Sequence, residues 1–250
     1  MDGEVECEIR WKIKELGKFQ ESLQKRGWEL KGAYSAVDYY YQPVHGSFWN
    51  PEKKFIKIRE WKTPESNAYI YLVQNDVVVW RGNSYKKTFP PLSKVKLYDG
   101  SIKVCRAVLR SLGFEEWLII EITDGRLWQA PKSKRYLALE KVHGMGWTGR
   151  MDFVGKTVRQ ADEKMRKSIG RLKISRRHVK IKTLLVMFAE KEGRLEKPSR
   201  KARLKSKEEL LMAEAREEFL LQKKLEKFKK QLEKKWQKQE KKRRKTGKKK

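Results

Sequence analysis

Two periods of hydrophobicity alternate along the first 190 residues. From Glu4 to Ile13 the chain reads EVECEIRWKI, with Val5, Cys7, Ile9 and Trp11 interleaved with Glu4, Glu6, Glu8 and Arg10. Period two places the apolar set on one face of a strand and the charged set on the other. The spacing then lengthens. Leu16, Phe19, Leu23 and Trp28 fall near helical spacing, and Gly27 supplies a stop. The segments 36–43 (AVDYYYQP) and 55–61 (FIKIREW) read as strands, the latter setting Ile56 and Ile58 against Lys57 and Arg59. AYIYLVQNDVVVWRG predicts a hairpin turning at Asn75-Asp76, and SYKKTF extends the sheet.

A second amphipathic helix is predicted over 101–114, with a stripe of Val104, Val108, Leu109 and Leu112 and a stop at Gly113. The runs EEWLIIEIT and KRYLALEKV predict two further strands, and the glycine-rich 143–153 (HGMGWTGRMDF) predicts a turn entering another. His143 reads as a turn residue. VRQADEKMRKSIGRL and HVKIKTLLVMFAEKEG read as two helices. The two halves repeat an order of strand, helix ending at glycine, then several strands. Many strands and few helices predict an α+β chain: an antiparallel barrel or tunnel with flanking helices.

Composition changes the picture after about residue 193. Residues 161–250 hold 34 Lys and Arg against 13 Asp and Glu, and so carry most of the net charge of +30. The expected organisation is a tunnel domain over 1–192, a linker over 193–207, a long charged helix over 208–240 and a basic disordered tail over 241–250. Leu221, Leu225, Phe228 and Leu232 give that helix a coiled-coil seam of about two heptads, a surface for a helical protein partner. Such an excess of cations favours RNA or another polyanion through counterion release, more than an anionic membrane surface. Two cysteines, Cys7 and Cys105, make no disulfide framework, and His45, His143 and His178 have no zinc-site spacing. No signal or membrane-spanning pattern is present, so an intracellular protein is expected.

Taken alone, the ECEIR alternation reads as a solvated strand face. Its context adds a resemblance. ECEIR is similar to the Glu-x-Glu-x-Lys signature of the CYTH family, the triphosphate tunnel enzymes, which include class IV adenylyl cyclases, thiamine triphosphatases and inorganic triphosphatases. VDYYYQP, FIKIRE, VLRSLGF and LALEKVHGMGWTGRMDF follow in the family's order, covering roughly residues 4–190. The resemblance implies a tunnel in which carboxylates hold Mg2+ or Mn2+ while Lys and Arg clamp phosphate. Carried over by position, Glu6, Glu8, Glu140 and Asp152 are the metal-side residues, and Arg10, Lys57, Arg59 and Arg150 are the phosphate-side residues. The chain departs from the pattern in its second half. Arg150-Met151-Asp152 stands where the family has Glu-Ile-Glu, and the Lys-x-Arg expected after the second helix falls at Ile122 and Asp124. Arg150 and Asp152 could equally pair with each other.

Three functions are consistent with this reading. One is a phosphate-binding tunnel domain of weakened catalysis, associated with RNA or a ribonucleoprotein through its tail. Another is an active Mg- or Mn-dependent triphosphatase on RNA 5′ ends, nucleotides or inorganic triphosphate. The last is a structural protein docking through its basic helix.

Overall fold

The computed structural model describes residues 4–195 apart from 46–48, 63–66, 81–82, 89–92 and 134. They lie within one compact unit, Met1–Lys197. The expected helix over 208–240, its leucine seam, the tail and most of the linker fall outside the described residues.

Eleven strands form one antiparallel sheet. In chain order the elements are β1 (Glu4–Lys12), α1 (Leu16–Gln24), β2 (Glu29–Pro43), β3 (Lys54–Trp61), β4 (Ala68–Gln74), β5 (Asp76–Trp80), β6 (Asn83–Thr88) and β7 (Lys94–Gly100). Then follow α2 (Ile102–Ser111), β8 (Phe114–Gln129), β9 (Tyr136–Val142), β10 (Gly146–Gly155), α3 (Val158–Arg171), β11 (Val179–Lys180) and α4 (Leu184–Lys191). Side by side, the strands run β5-β6-β1-β10-β9-β8-β2-β3-β4-β7, with β11 added on β1. β5 and β4 lie near opposite ends of this order, yet Asn75 alone joins them in sequence. A single residue spans less than 4 Å. The sheet therefore curls until its two edges meet, which makes a tunnel.

This geometry corrects the hairpin expected at Asn75-Asp76. β4 pairs with β3 and β7, whereas β5 pairs with β6. Asn75 is buried, and its N–H donates to the carbonyl of Lys53 at 2.8 Å, so the chain crosses from one edge to the other there. β7, over KVKLYDG, lies in a stretch without a predicted element. The helix expected over HVKIKTLLVMFAEKEG is shorter. Residues 176–178 form a 3-10 turn, β11 pairs with β1, and only Leu184–Lys191 is α-helical. The Thr183 hydroxyl accepts from the Val186 N–H at 3.3 Å and fixes that start.

The sheet's outer face carries most of the apolar core. Val5, Cys7, Ile9 and Trp11 of β1 pack with Met151 and Phe153 of β10 and with Ala161, Met165 and Ile169 of α3. Val37, Tyr39, Ile56, Ile58 and Ile70 pack beneath Cys105 and Leu109 of α2. α4 is different. Its Leu184, Leu185 and Phe188 join Tyr40, Leu118 and Ile120. Ile120 pairs directly with Asp38, and Leu118 with Tyr40, so this cluster shares its face with the charged residues below.

Candidate functional site: a charged tunnel interior

Strand register brings the charged residues to the inner face. Glu8 stands directly opposite Asp152, Arg10 opposite Arg150, and Glu6 opposite Lys86 on the other flank of β1. Glu140 of β9 faces Thr148 of β10. Across the tunnel Asp38 pairs with Arg59, and Tyr40 with Lys57. Directly opposed residues of antiparallel strands project to the same side. All eight residues named from the sequence therefore belong to one interior, as does Asp38.

Two ion-pair groups occupy it. In the first, Arg10 donates to Glu8 at 2.9 Å and to Glu140 at 2.6 Å. Tyr34 donates its hydroxyl to the other Glu140 oxygen at 2.6 Å, where Arg150 also approaches to 4.0 Å. Arg150 binds Asp152 at 2.7 Å, and Lys86 reaches the second oxygen of Glu8 at 3.4 Å. In the second group, Asp38 receives Lys57 at 2.8 Å and a two-pronged grip from Arg59 at 2.6 and 2.7 Å. Tyr40 adds a long contact of 3.3 Å to the same carboxylate.

Burial raises the stakes of each pairing, because a desolvated charge is costly unless compensated. Burial alone would push Asp38 up, but Lys57 and Arg59 outweigh it and hold its pKa well below 3.8. Glu8 behaves alike, held low by Lys86, Arg10 and Arg150 against its burial. Glu140 is held low by Arg10 and Arg150 against its burial. Glu6 goes the other way: burial, with Asp152 and Glu8 adding, raises it above 4.5 despite Lys86. Burial draws Lys57 down to about 8, Asp38 restoring only part of the loss and Arg59 opposing its charge.

Exposure divides the expected phosphate set. Arg10 is only 3% exposed and is saturated by two carboxylates. Arg59 and Arg150 remain part-exposed. A further cation joins them that the sequence did not single out: Lys94 of β7 is solvent-exposed, and partial desolvation, Arg59 and Arg150 together depress its pKa. Lys94 stands opposite Val73, itself opposite Phe55 on the face of β3 that carries Lys57 and Arg59, so cations from β3, β7 and β10 share the interior.

The Mg2+ or Mn2+ that the resemblance implies would need free carboxylate oxygens. Glu8 has both oxygens in ion pairs, Glu140 has both engaged by Arg10 and Tyr34, and Asp152 gives Oδ2 to Arg150. Asp152 Oδ1 is buried without a hydrogen-bond partner among the described residues. No group of three or more His, Cys, Asp or Glu among the described residues is placed to hold a metal ion. Glu8, Glu140 and Asp152 are thus spent on cationic side chains, and the set as it stands does not fit a divalent ion.

Four interior residues escaped the sequence reading. Asp38 and Tyr34 lie in an aromatic run that reads as core, Lys86 in a strand of unassigned register, and Lys94 in an unassigned stretch. The available signal was Asp38 itself, a carboxylate set among Val37, Tyr39, Tyr40 and Tyr41.

Comparison of the fold gives clear neighbours. A conserved hypothetical protein from Pyrococcus furiosus superposes with a TM-score of 0.56 at 19% identity, over 72% of this chain and 98% of that one. PH1819 from Pyrococcus horikoshii gives 0.55 at 16%, over 74% and 99%. HpAC1 from Hippeastrum gives 0.52 at 8%, over 77% and 97%. The chain has a CYTH-like tunnel fold. HpAC1 is described as an adenylyl cyclase in which triphosphatase activity is dominant. No protein-family model matches the chain, and no curated protein matches it by sequence. No helix among the described residues is long and apolar enough to cross a membrane.

Proposed function

We propose that the tunnel interior is a binding site for a triphosphate-class anion, with catalysis weakened, in a protein that also holds RNA or another polyanion through its basic C-terminal segment. The observation that carries this is the convergence of Arg59, Arg150 and Lys94 from three strands. Like charges gathered in one space repel, and a multivalent anion relieves that repulsion. Asp38 completes the argument. Its carboxylate accepts Lys57 and both prongs of Arg59 in the manner of a phosphate oxygen pair, so an incoming phosphate competes with Asp38 for the same clamp.

Of the two residue sets expected from the sequence, Lys57, Arg59 and Arg150 are assigned to the anion. Arg10 is assigned to ordering Glu8 and Glu140. Glu6, Glu8, Glu140 and Asp152 are assigned to holding cations in place. Weak catalysis follows from this neutralisation, since a cation already paired lends less stabilisation to a transferring phosphoryl group. The RNA assignment is supported by the charge of residues 161–250 and by nothing else.

The test measures binding and phosphate release with tripolyphosphate, ATP and triphosphorylated RNA, each with EDTA, Mg2+ or Mn2+. Tripolyphosphate is expected to bind, Arg59→Ala and Arg150→Ala each to weaken it by about tenfold, and release to be slow or nil. No binding by well-folded protein would overturn the reading. Rapid release that disappears in a Glu6→Ala/Glu8→Ala variant would make the chain an active metal-dependent triphosphatase. For the RNA assignment, affinity should fall steeply with salt, and should weaken when the lysines of 241–250 are changed to glutamine.

A further inference from the structure

The carboxylates on the β1 side of the tunnel already have one cation beside them. Lys86 is the direct cross-strand partner of Glu6, and its Nζ lies 3.4 Å from Glu8 Oε2. Glu8 is in turn the direct partner of Asp152, whose Oδ1 is buried and unpartnered. Glu6, Glu8 and Lys86 line one pocket together with Tyr85 of β6 and with Thr183 and Val186 at the start of α4. Two further charged side chains, Glu52 and Lys182, face the same space. Lys182 is engaged by Glu190, so its charge is partly spent elsewhere.

We propose that the Lys86 ammonium takes the place of a divalent cation in this carboxylate cluster, so that triphosphate binding by this chain needs no metal. This rests on the reading of the tunnel as a triphosphate site. The chemistry is direct. An ammonium and a hard divalent ion seek the same oxygen-rich, negatively charged surroundings. Lys86 is tethered to β6, so it occupies the cluster at an effective concentration that a free ion must overcome. An ordinary lysine ammonium is already a cation at neutral pH, so the cluster holds its charge without further help. A second cation entering beside it meets direct repulsion and finds Glu8 already shared with Arg10.

Two measurements on the full chain test this separately. The first titrates Mn2+ by electron paramagnetic resonance, without phosphate. Wild type should bind weakly. Lys86→Met, which keeps length but removes the charge, should bind Mn2+ about tenfold or more tightly, and adding Glu8→Gln should abolish the gain. Tight Mn2+ binding by wild type, or no gain in a folded Lys86→Met, would overturn the proposal. The second compares tripolyphosphate affinity in EDTA and in Mg2+. Wild type should differ by less than about twofold, while Lys86→Met should depend on Mg2+. A tenfold or larger Mg2+ dependence in wild type would also overturn it. If Lys86→Met fails to fold, the two wild-type measurements still decide. Absence of any tripolyphosphate binding would remove the triphosphate reading, while the Mn2+ titration would still establish whether Lys86 excludes a metal.

Discussion

Asp38 is the residue on which the tunnel's chemistry turns. It is 2% exposed and neutralises Lys57 and Arg59 together. Asp38→Asn leaves the buried Lys57 and the part-buried Arg59 uncompensated, and breaking a buried pair costs about 3–5 kcal/mol. The same change frees the clamp. Asp38→Asn should therefore melt well below wild type, yet gain more stability from added tripolyphosphate, which thermal melts with and without ligand would measure. Lys57 supplies a pH dependence. Its pKa is drawn to about 8, below its ordinary 10.5, by burial. Tripolyphosphate affinity should fall as pH rises through about 8, and Lys57→Arg, whose charge persists, should flatten that fall. Stability responds with the opposite sign. Between about 8 and 10.5 the unfolded chain binds more protons at this position, so the contribution of Lys57 to stability rises with pH. Lys57 and Arg59 were visible in the sequence because an alternating strand displays them. Asp38 was not, because its meaning depends on β3 lying alongside β2, a long-range fact that no local pattern encodes.

The strands and helices themselves owe their visibility to pattern. β1, β3, α1, α2 and α3 bury one face against apolar neighbours, so their periods are clean. β7 is mostly exposed and has no such signature. β5 and β6 were visible as strands, and they pair locally, Trp80 opposite Asn83; what no local pattern encodes is that β5 parts from β4 at Asn75, because the curl of the whole sheet sets that. Close approach between elements also left no trace beyond glycine. A Cβ at Gly149 of β10 would lie 2.2 Å from the Trp11 indole of β1, and one at Gly125 of β8 would lie 2.5 Å from the Tyr34 ring. The missing side chains make room for aromatic rings that lie across the neighbouring strand. Gly149→Ala forces Trp11 aside, and overpacking of this kind costs about 1–3 kcal/mol. Chemical denaturation should show that loss with the m-value unchanged. Tyr34 holds Glu140, so Gly125 acts on the charged interior through a ring and not through a charge.

At the scale of the molecule, closing the sheet gathers carboxylates and cations that extended strands would keep apart, and stability becomes tied to their ionisation. Asp38, Glu8 and Glu140 all have pKa values lowered by buried cationic partners. Each such group contributes stability that is complete above its ordinary value near 4 and is lost as pH falls through the lower folded value. Glu6 opposes them. Its pKa is raised above 4.5 by burial and by neighbouring Asp152 and Glu8, so its contribution is complete below 4.5 and is lost as pH rises through the folded value. The two windows adjoin near pH 4.5: above it acidification restores the Glu6 contribution, and below it the other three are lost, a loss that deepens toward pH 2. Each lost unit of pKa depression is worth about 1.4 kcal/mol, so urea midpoints should hold or rise slightly from pH 6 to about 4.5 and fall from there to pH 3. Glu6→Gln should remove any rise above pH 4.5 and leave the fall below it in place, whereas Glu8→Gln should shallow that fall while lowering stability at pH 6. The contrast separates the interior from the rest of the chain. Exposed carboxylates change little on folding, so an effect of Glu6→Gln confined to the range above pH 4.5, beside one of Glu8→Gln below it, is the expected mark of a tunnel closed around its charges in solution.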